Sequence, residues 1–98
     1  MKVVWSKRAE DRVFEIATFI AKDRPQAAVR WAASIFETVE LLAEQPHMGK
    51  AGRDVATPGI RELVVGNYRI FYEVSDQIDI HTVRCGSELI DENELVGD

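Results

Sequence analysis

Cysteine is almost absent from this chain: Cys85 is the single one in 98 residues. That excludes an intrachain disulfide framework and fits a reducing cytoplasm. The Cys85 thiol is expected to be inert rather than nucleophilic. Histidine is as sparse, with His47 and His81 only, and neither has a cysteine or carboxylate at metal-ligand spacing. No metal site and no cofactor are expected. No apolar run approaches the ~20 residues of a membrane span. The start, MKVVWSKRAED, turns polar too soon for a secretory signal peptide. Positive charge is short as well: 12 basic residues face 17 acidic ones, a net of −5. That is not the footprint of a protein that grips a phosphate backbone. Neither direct nucleic-acid binding nor membrane association is expected.

The acidic excess has an address. Residues 85–98 hold Glu88, Asp91, Glu92, Glu94 and Asp98 and no basic residue, so residues 1–84 balance at 12 against 12. This acidic C-terminal tail reads as a solvated, partly frayed end. The length fits one domain spanning 1–98, with no room for a second core.

The order of elements is legible. Val3-Val4-Trp5 reads as a short strand, and Ser6 as the N-cap of a helix. Ala9, Val13, Ile16, Ala17 and Ile20 then recur at helical spacing. Asp23-Arg24-Pro25 ends that helix and opens a second, whose stripe is Ala28, Ala32, Ile35, Phe36, Val39 and Leu42. The short link predicts an antiparallel helical hairpin. Three glycines and two prolines in 46–59, PHMGKAGRDVATPG, predict an irregular loop there. Strands are expected at about 60–65, 68–74 and 78–84.

Turn geometry assigns faces. A two-residue turn at Gly66-Asn67 pairs Val65 with Tyr68, Leu63 with Ile70 and Arg61 with Tyr72. A three-residue turn at 75–77 pairs Val74 with Ile78, Tyr72 with Ile80 and Ile70 with Thr82. Leu63, Val65, Tyr68, Ile70, Tyr72, Val74, Ile78 and Ile80 then form the apolar face that the helices cover. Glu62, Val64, Arg69, Phe71, Glu73, Asp79, His81 and Val83 face the other way. This register sets Glu73 against Asp79, a mildly unfavourable pair. The fold class is α+β: a short N-terminal strand and an antiparallel helical hairpin packed on a three- to four-stranded antiparallel sheet.

The stretches VVWSKRAEDRVFEIATFIAKDRPQAA, LLAEQPHMGKAGR, IRELVVGNYRIFYEV and IDIHTVR resemble the ParE/RelE superfamily of bacterial toxin–antitoxin toxins over about residues 3–84. R-E-L-x-V-G-x-Y-R-I-x-Y together with P-x-x-G-x-x-G-R resembles the ParE-like branch. The resemblance implies a toxin of the bacterial cytoplasm that inhibits DNA gyrase by binding. It also implies neutralisation by a cognate antitoxin in a hetero-oligomer. The RelE-like branch instead cuts messenger RNA on the ribosome. A third possibility is a non-toxic relic that still binds antitoxin.

Metal-free RNA cleavage needs an activated 2′-hydroxyl, a stabilised phosphate and a proton for the leaving oxygen. Arg69 matches the arginine of the Gly-Tyr-Arg hairpin in RelE-like enzymes, and Arg61 falls near their basic strand positions. Yet no lysine follows Lys50 and no tyrosine follows Tyr72. Where many ParE-like chains carry a histidine and an arginine after the last strand, this one reads Cys85-Gly86-Ser87-Glu88. No catalytic residue is therefore assigned. The candidate target-binding residues are Arg53, Arg61, Arg69, His81 and Arg84. Tyr68 and Tyr72 read as core. Phe14 and Trp31 lie off the core stripes and are the candidate antitoxin contacts.

Overall fold

A computed structural model of the chain describes residues 1–88 and 90–95. The first strand, β1 (Val3–Trp5), passes through Ser6 into α1 (Lys7–Ala21). The Ser6 hydroxyl accepts the Ala9 amide at 3.0 Å and donates to the His81 carbonyl at 2.9 Å. One side chain thus starts the helix and ties its end to the sheet. The second helix, α2 (Pro25–Glu40), carries Pro25 in its first turn, where the missing N–H costs nothing. A turn of 3-10 helix, Leu41–Ala43, follows. Then come β2 (Lys50–Ala51), β3 (Ile60–Val65), β4 (Tyr68–Val74) and β5 (Ile78–Cys85).

The helical hairpin covers one face of a sheet ordered β1-β5-β4-β3-β2, an α+β fold as expected. The sheet differs in two details from a three- to four-stranded antiparallel one. It is five-stranded and mixed, because β1 runs parallel to β5 with Val3 beside Ile78 and Trp5 beside Ile80. In addition, the 46–59 loop, expected to be wholly irregular, contributes β2, which pairs Lys50 with Glu62 and Ala51 with Arg61.

The Gly66-Asn67 turn sets the register the sequence predicts. Gly66 has φ of 58°, the left-handed region that glycine enters without strain. Val65 pairs with Tyr68, Leu63 with Ile70 and Arg61 with Tyr72. The next hairpin pairs Val74 with Ile78 and Tyr72 with Ile80, also as predicted. Glu73 does oppose Asp79. Two neighbours relieve that pair: His81 Nε2 lies 3.1 Å from Glu73, and the Gln77 amide donates to Asp79 at 2.8 Å.

Beyond Tyr72 the expected register is corrected. Ile70 pairs with Val83 rather than Thr82, and Phe71 pairs with Thr82, across a shift between Phe71 and Tyr72. His81 is the extra residue on β5. Val83, expected on the outer face, is fully buried in the core beneath the helices. The bulge exchanges a hydroxyl for a valine on the apolar face, which avoids burying Thr82 among groups it cannot bond.

Ala9, Val13, Ile35, Val39 and Leu42 of the helical layer meet Leu63, Ile70, Tyr72, Ile78, Ile80 and Val83 of the sheet. Phe36, expected in the α2 core stripe, is 43% exposed and lies against Trp5 at 4.9 Å between ring centroids. A second, smaller cluster covers the other face: Ile60, Phe71 and Leu95, flanked by Val55 and Ile90. The tail is therefore not simply solvated. Its 3-10 turn Glu92–Leu95 folds back over the sheet, and Glu94 and Leu95 are buried. The expectation for Asp98 falls outside the described residues.

Candidate functional site

Two surfaces stand out, one on each side of the molecule. The first lies on the outer side of the helical hairpin. Beside its core stripe, α1 carries Phe14, Ala17 and Ala21 at i, i+3 and i+7. Beside its own, α2 carries Pro25, Val29, Ala32 and Phe36 at i, i+4, i+7 and i+11. Two adjoining depressions of about 500 and 370 Å³ run between these stripes and share Phe14, Ala17 and Ala32. Phe14 is 73% exposed and Val29 71%. A helix presenting two apolar stripes buries one and offers the other.

Trp31 does not line this groove. It packs toward the core, its ring 5.0 Å from that of Tyr68, and its Nε1 is buried without a hydrogen-bond partner among the described residues. Burial, with the Cys85 and Glu88 charges, pushes the Tyr68 phenol up. The two candidate antitoxin contacts thus sit apart, Phe14 in the groove and Trp31 beneath the helices. Of the groove residues, Val29 was not singled out from the sequence, and Phe36 was assigned to the core stripe. Their signal was the second apolar stripe at helical spacing.

The other surface is the outer face of the sheet, where the candidate arginines gather. Glu62 is fully buried and each of its oxygens takes one arginine: Arg53 Nε at 2.6 Å and Arg69 Nε at 2.7 Å. Burial alone would raise the Glu62 pKa. The hydrogen bonds and charges of Arg69 and Arg53 outweigh it and hold the carboxyl below its ordinary value. Arg69 also donates from Nη2 to the Arg53 carbonyl at 2.7 Å and stacks over Phe71 at 4.7 Å. Nearby, Arg61 donates to the carbonyls of His47 (3.0 Å) and Gly49. The Tyr72 hydroxyl accepts from the Gly49 amide at 2.9 Å and donates to the Pro46 carbonyl at 3.0 Å. The P-x-x-G-x-x-G-R loop and the R-E-L-x-V-G-x-Y-R-I-x-Y hairpin are one connected network.

Arg84 is cross-strand from Arg69. Its guanidinium forks onto Glu94 through Nε (3.0 Å) and Nη2, and its Nη1 reaches Glu88 at 3.0 Å. Burial tends to lower the Arg84 pKa, but Glu94 and Glu88 raise it overall. Thr82 donates to Glu94 at 3.1 Å. Glu88 accepts the Cys85 amide at 3.0 Å and lies 3.6 Å from Arg12. Burial raises the Glu88 carboxyl less than the Cys85 amide, Arg84 and Arg12 lower it. Glu92 accepts from Thr57 and from the Ala56 amide, and these bonds lower its pKa. Glu88, Glu92 and Glu94 are thereby spent on the tail's own attachment.

His81, 5% exposed, pairs with Glu73 near the β1 edge, one bulge away from the arginines. The structure brings Arg53, Arg69 and Arg84 to one end of the outer face, with Arg61 turned to the loop and His81 beyond Phe71. Among the described residues no group of three or more His, Cys, Asp and Glu is placed to hold a metal ion. No helix among them is long and apolar enough to cross a membrane.

Comparisons of three kinds find proteins similar to this chain. The family model for the ParE toxin of the type II toxin-antitoxin system, parDE, matches residues 3–90. A Sinorhizobium fredii protein described as "Putative toxin Y4kP" is 42% identical over 84 residues, 84% of each chain. A solved chain from the chromosomal ParDE TA system of P. aeruginosa has the same fold, with a TM-score of 0.75 at 22% identity. The match covers 87% of this chain and 95% of that one.

Proposed function

This chain belongs to the ParE toxin family of type II toxin–antitoxin systems, and on that premise we propose that it acts in the bacterial cytoplasm by binding DNA gyrase. A cognate antitoxin holds it inactive by laying an apolar helical segment in the α1–α2 groove. The observation that carries the binding reading is the state of the arginines. Arg69 is 3% exposed and bonded to Glu62, and Arg84 is forked onto Glu94. Neither is free to meet a scissile phosphate, and Tyr68 is a packed phenol raised above its ordinary pKa. A cation that must stabilise a phosphorane cannot be fully spent on a carboxylate. Binding a protein needs only a shaped surface with a few anchors.

The groove supports the antitoxin. It exposes Phe14 of α1 and Val29 and Phe36 of α2, an apolar lining that receives the i, i+3, i+4, i+7 anchors of an inserted helix. The solved fold neighbour belongs to a ParDE TA system, which agrees with a partner of this kind. Induced expression without antitoxin tests the reading. Filamentation with a DNA-damage response is expected. Rapid translation arrest with discrete message cuts that vanish in Arg69→Ala would establish a RelE-like ribonuclease instead, and normal growth would indicate a relic.

A further inference from the structure

The geometry points to a carboxylate socket at the end of the sheet's outer face, where Arg53 grips one aspartate or glutamate side chain of the protein target. This rests on the reading above that the chain works by binding a protein. The socket is a depression of about 410 Å³ between the Gly66-Asn67 turn and the Cys85-Gly86-Ser87 turn. Arg53 and Arg69 line it, and no acidic side chain does among the described residues.

On the outer face of the sheet the charge is unbalanced here. One carboxylate, Glu62, serves two guanidiniums, so the Arg53–Glu62–Arg69 group carries a net +1. Beside it, Arg84 and Arg12 face Glu94 and Glu88, which leaves no positive excess there. Arg69 is buried, whereas the Arg53 side chain is 54% exposed. Arg53 uses Nε on Glu62, and its two Nη groups make no hydrogen bond among the described residues. Two adjacent N–H groups on a guanidinium match the two oxygens of a carboxylate.

Arg53 is also held in advance. Its side chain is fixed by Glu62 and its carbonyl by Arg69. A cation already ordered loses little freedom when it binds. Asn67 and Ser87 on the rim add polar groups, and Val64 and Tyr68 add apolar wall for the stem of the incoming side chain. A polyanion does not suit the place. It would meet a chain of net −5, with the acidic tail adjoining the socket. A single carboxylate on a protein surface meets only the local +1.

Two measurements on the full chain test the proposal. Titration with acetate, followed by amide and arginine Nε resonances, should give saturable shifts at Arg53, Gly66, Asn67, Gly86 and Ser87 that disappear in Arg53→Ala. Supercoiling inhibition should weaken about 10- to 100-fold in Arg53→Ala. It should weaken less in Arg53→Lys, which keeps the charge and loses the fork, and hold in Arg24→Ala, a charge-matched control. Thermal unfolding of each variant separates lost contact from lost fold. Absence of local acetate shifts, or saturation by inorganic phosphate alone, overturns the socket whatever gyrase does. Local shifts with undiminished inhibition by Arg53→Ala overturn its assignment to the target. A wild type that fails to inhibit gyrase refutes the proposed target, while the titration still reads the socket.

Discussion

Replacing Glu62 with glutamine removes the carboxylate that holds two arginines. The structure sets the size of the loss. Arg69 is nearly inaccessible, and stripping a buried cation of its partner costs roughly 3–5 kcal/mol. The Arg53 arm is half exposed, so water compensates it and it adds about 1 kcal/mol at most. The glutamine oxygen still serves one arginine, which places the expected cost near the low end, about 3 kcal/mol. That is a large share of the ~5–15 kcal/mol available to a domain. At roughly 4–8 °C per kcal/mol for a domain of this size, Tm falls by about 12–24 °C. Urea denaturation followed by the fluorescence of Trp5 and Trp31 measures it, and the slope with urea should not change. Glu62→Leu combined with Arg69→Met should come back to within about 2 kcal/mol of wild type, because an apolar pair needs no charge partner. The pH dependence has a definite sign. The Glu62 pKa is lowered on folding, so its stabilisation is present above the ordinary value of 4.5 and lost as pH falls through the folded value. Glu62→Gln should therefore lose less stability than wild type on acidification. A cost under about 1 kcal/mol, or an unchanged acid profile, would refute the reasoning.

Gly49→Ala should destabilise by about 1–3 kcal/mol, since its Cβ would meet the Glu62 carbonyl at 2.5 Å and the Tyr72 hydroxyl at 2.6 Å; thermal unfolding checks it. Phe14→Ala with Phe36→Ala should weaken antitoxin binding by over about 2 kcal/mol by calorimetry. Trp31→Ala, which opens a hole beneath the helices, should instead lower stability. Glu94→Gln loosens the fork on Arg84, so amide exchange at Phe71 and Thr82 should quicken while the helices keep their protection.

The first hairpin was legible because Gly66-Asn67 admits one turn and the pattern of Leu63, Val65, Tyr68 and Ile70 admits one register. The bulge at His81 was not. IDIHTV continues a plausible alternation, and strict period-2 counting buries Thr82 and exposes Val83. The clue was chemical: valine is the better core residue of the two. The tail was misread because its charge was summed while its placement was ignored. Leu95 and Ile90 sit among the acids and carry them onto Phe71 and Ile60. Arg53, Arg69 and Arg84, named from the sequence as separate candidates, meet on the outer face. A pairing of Arg69 with its strand neighbour Glu62 was open to the sequence; that Glu62 also holds Arg53 and that Glu94 holds Arg84 was not. Such pairings depend on the strand register and on a tail returning to the sheet, both nonlocal. Phe36 illustrates the same limit at one residue: an apolar stripe wide enough for two faces does not say which edge is covered.

Binding of gyrase, as proposed, and cutting of RNA predict different outcomes with purified components. A supercoiling titration with purified chain and purified gyrase tests the binding most directly. The account predicts dose-dependent loss of supercoiled product that added antitoxin relieves. Full supercoiling at large molar excess of the chain, with or without antitoxin, would contradict it.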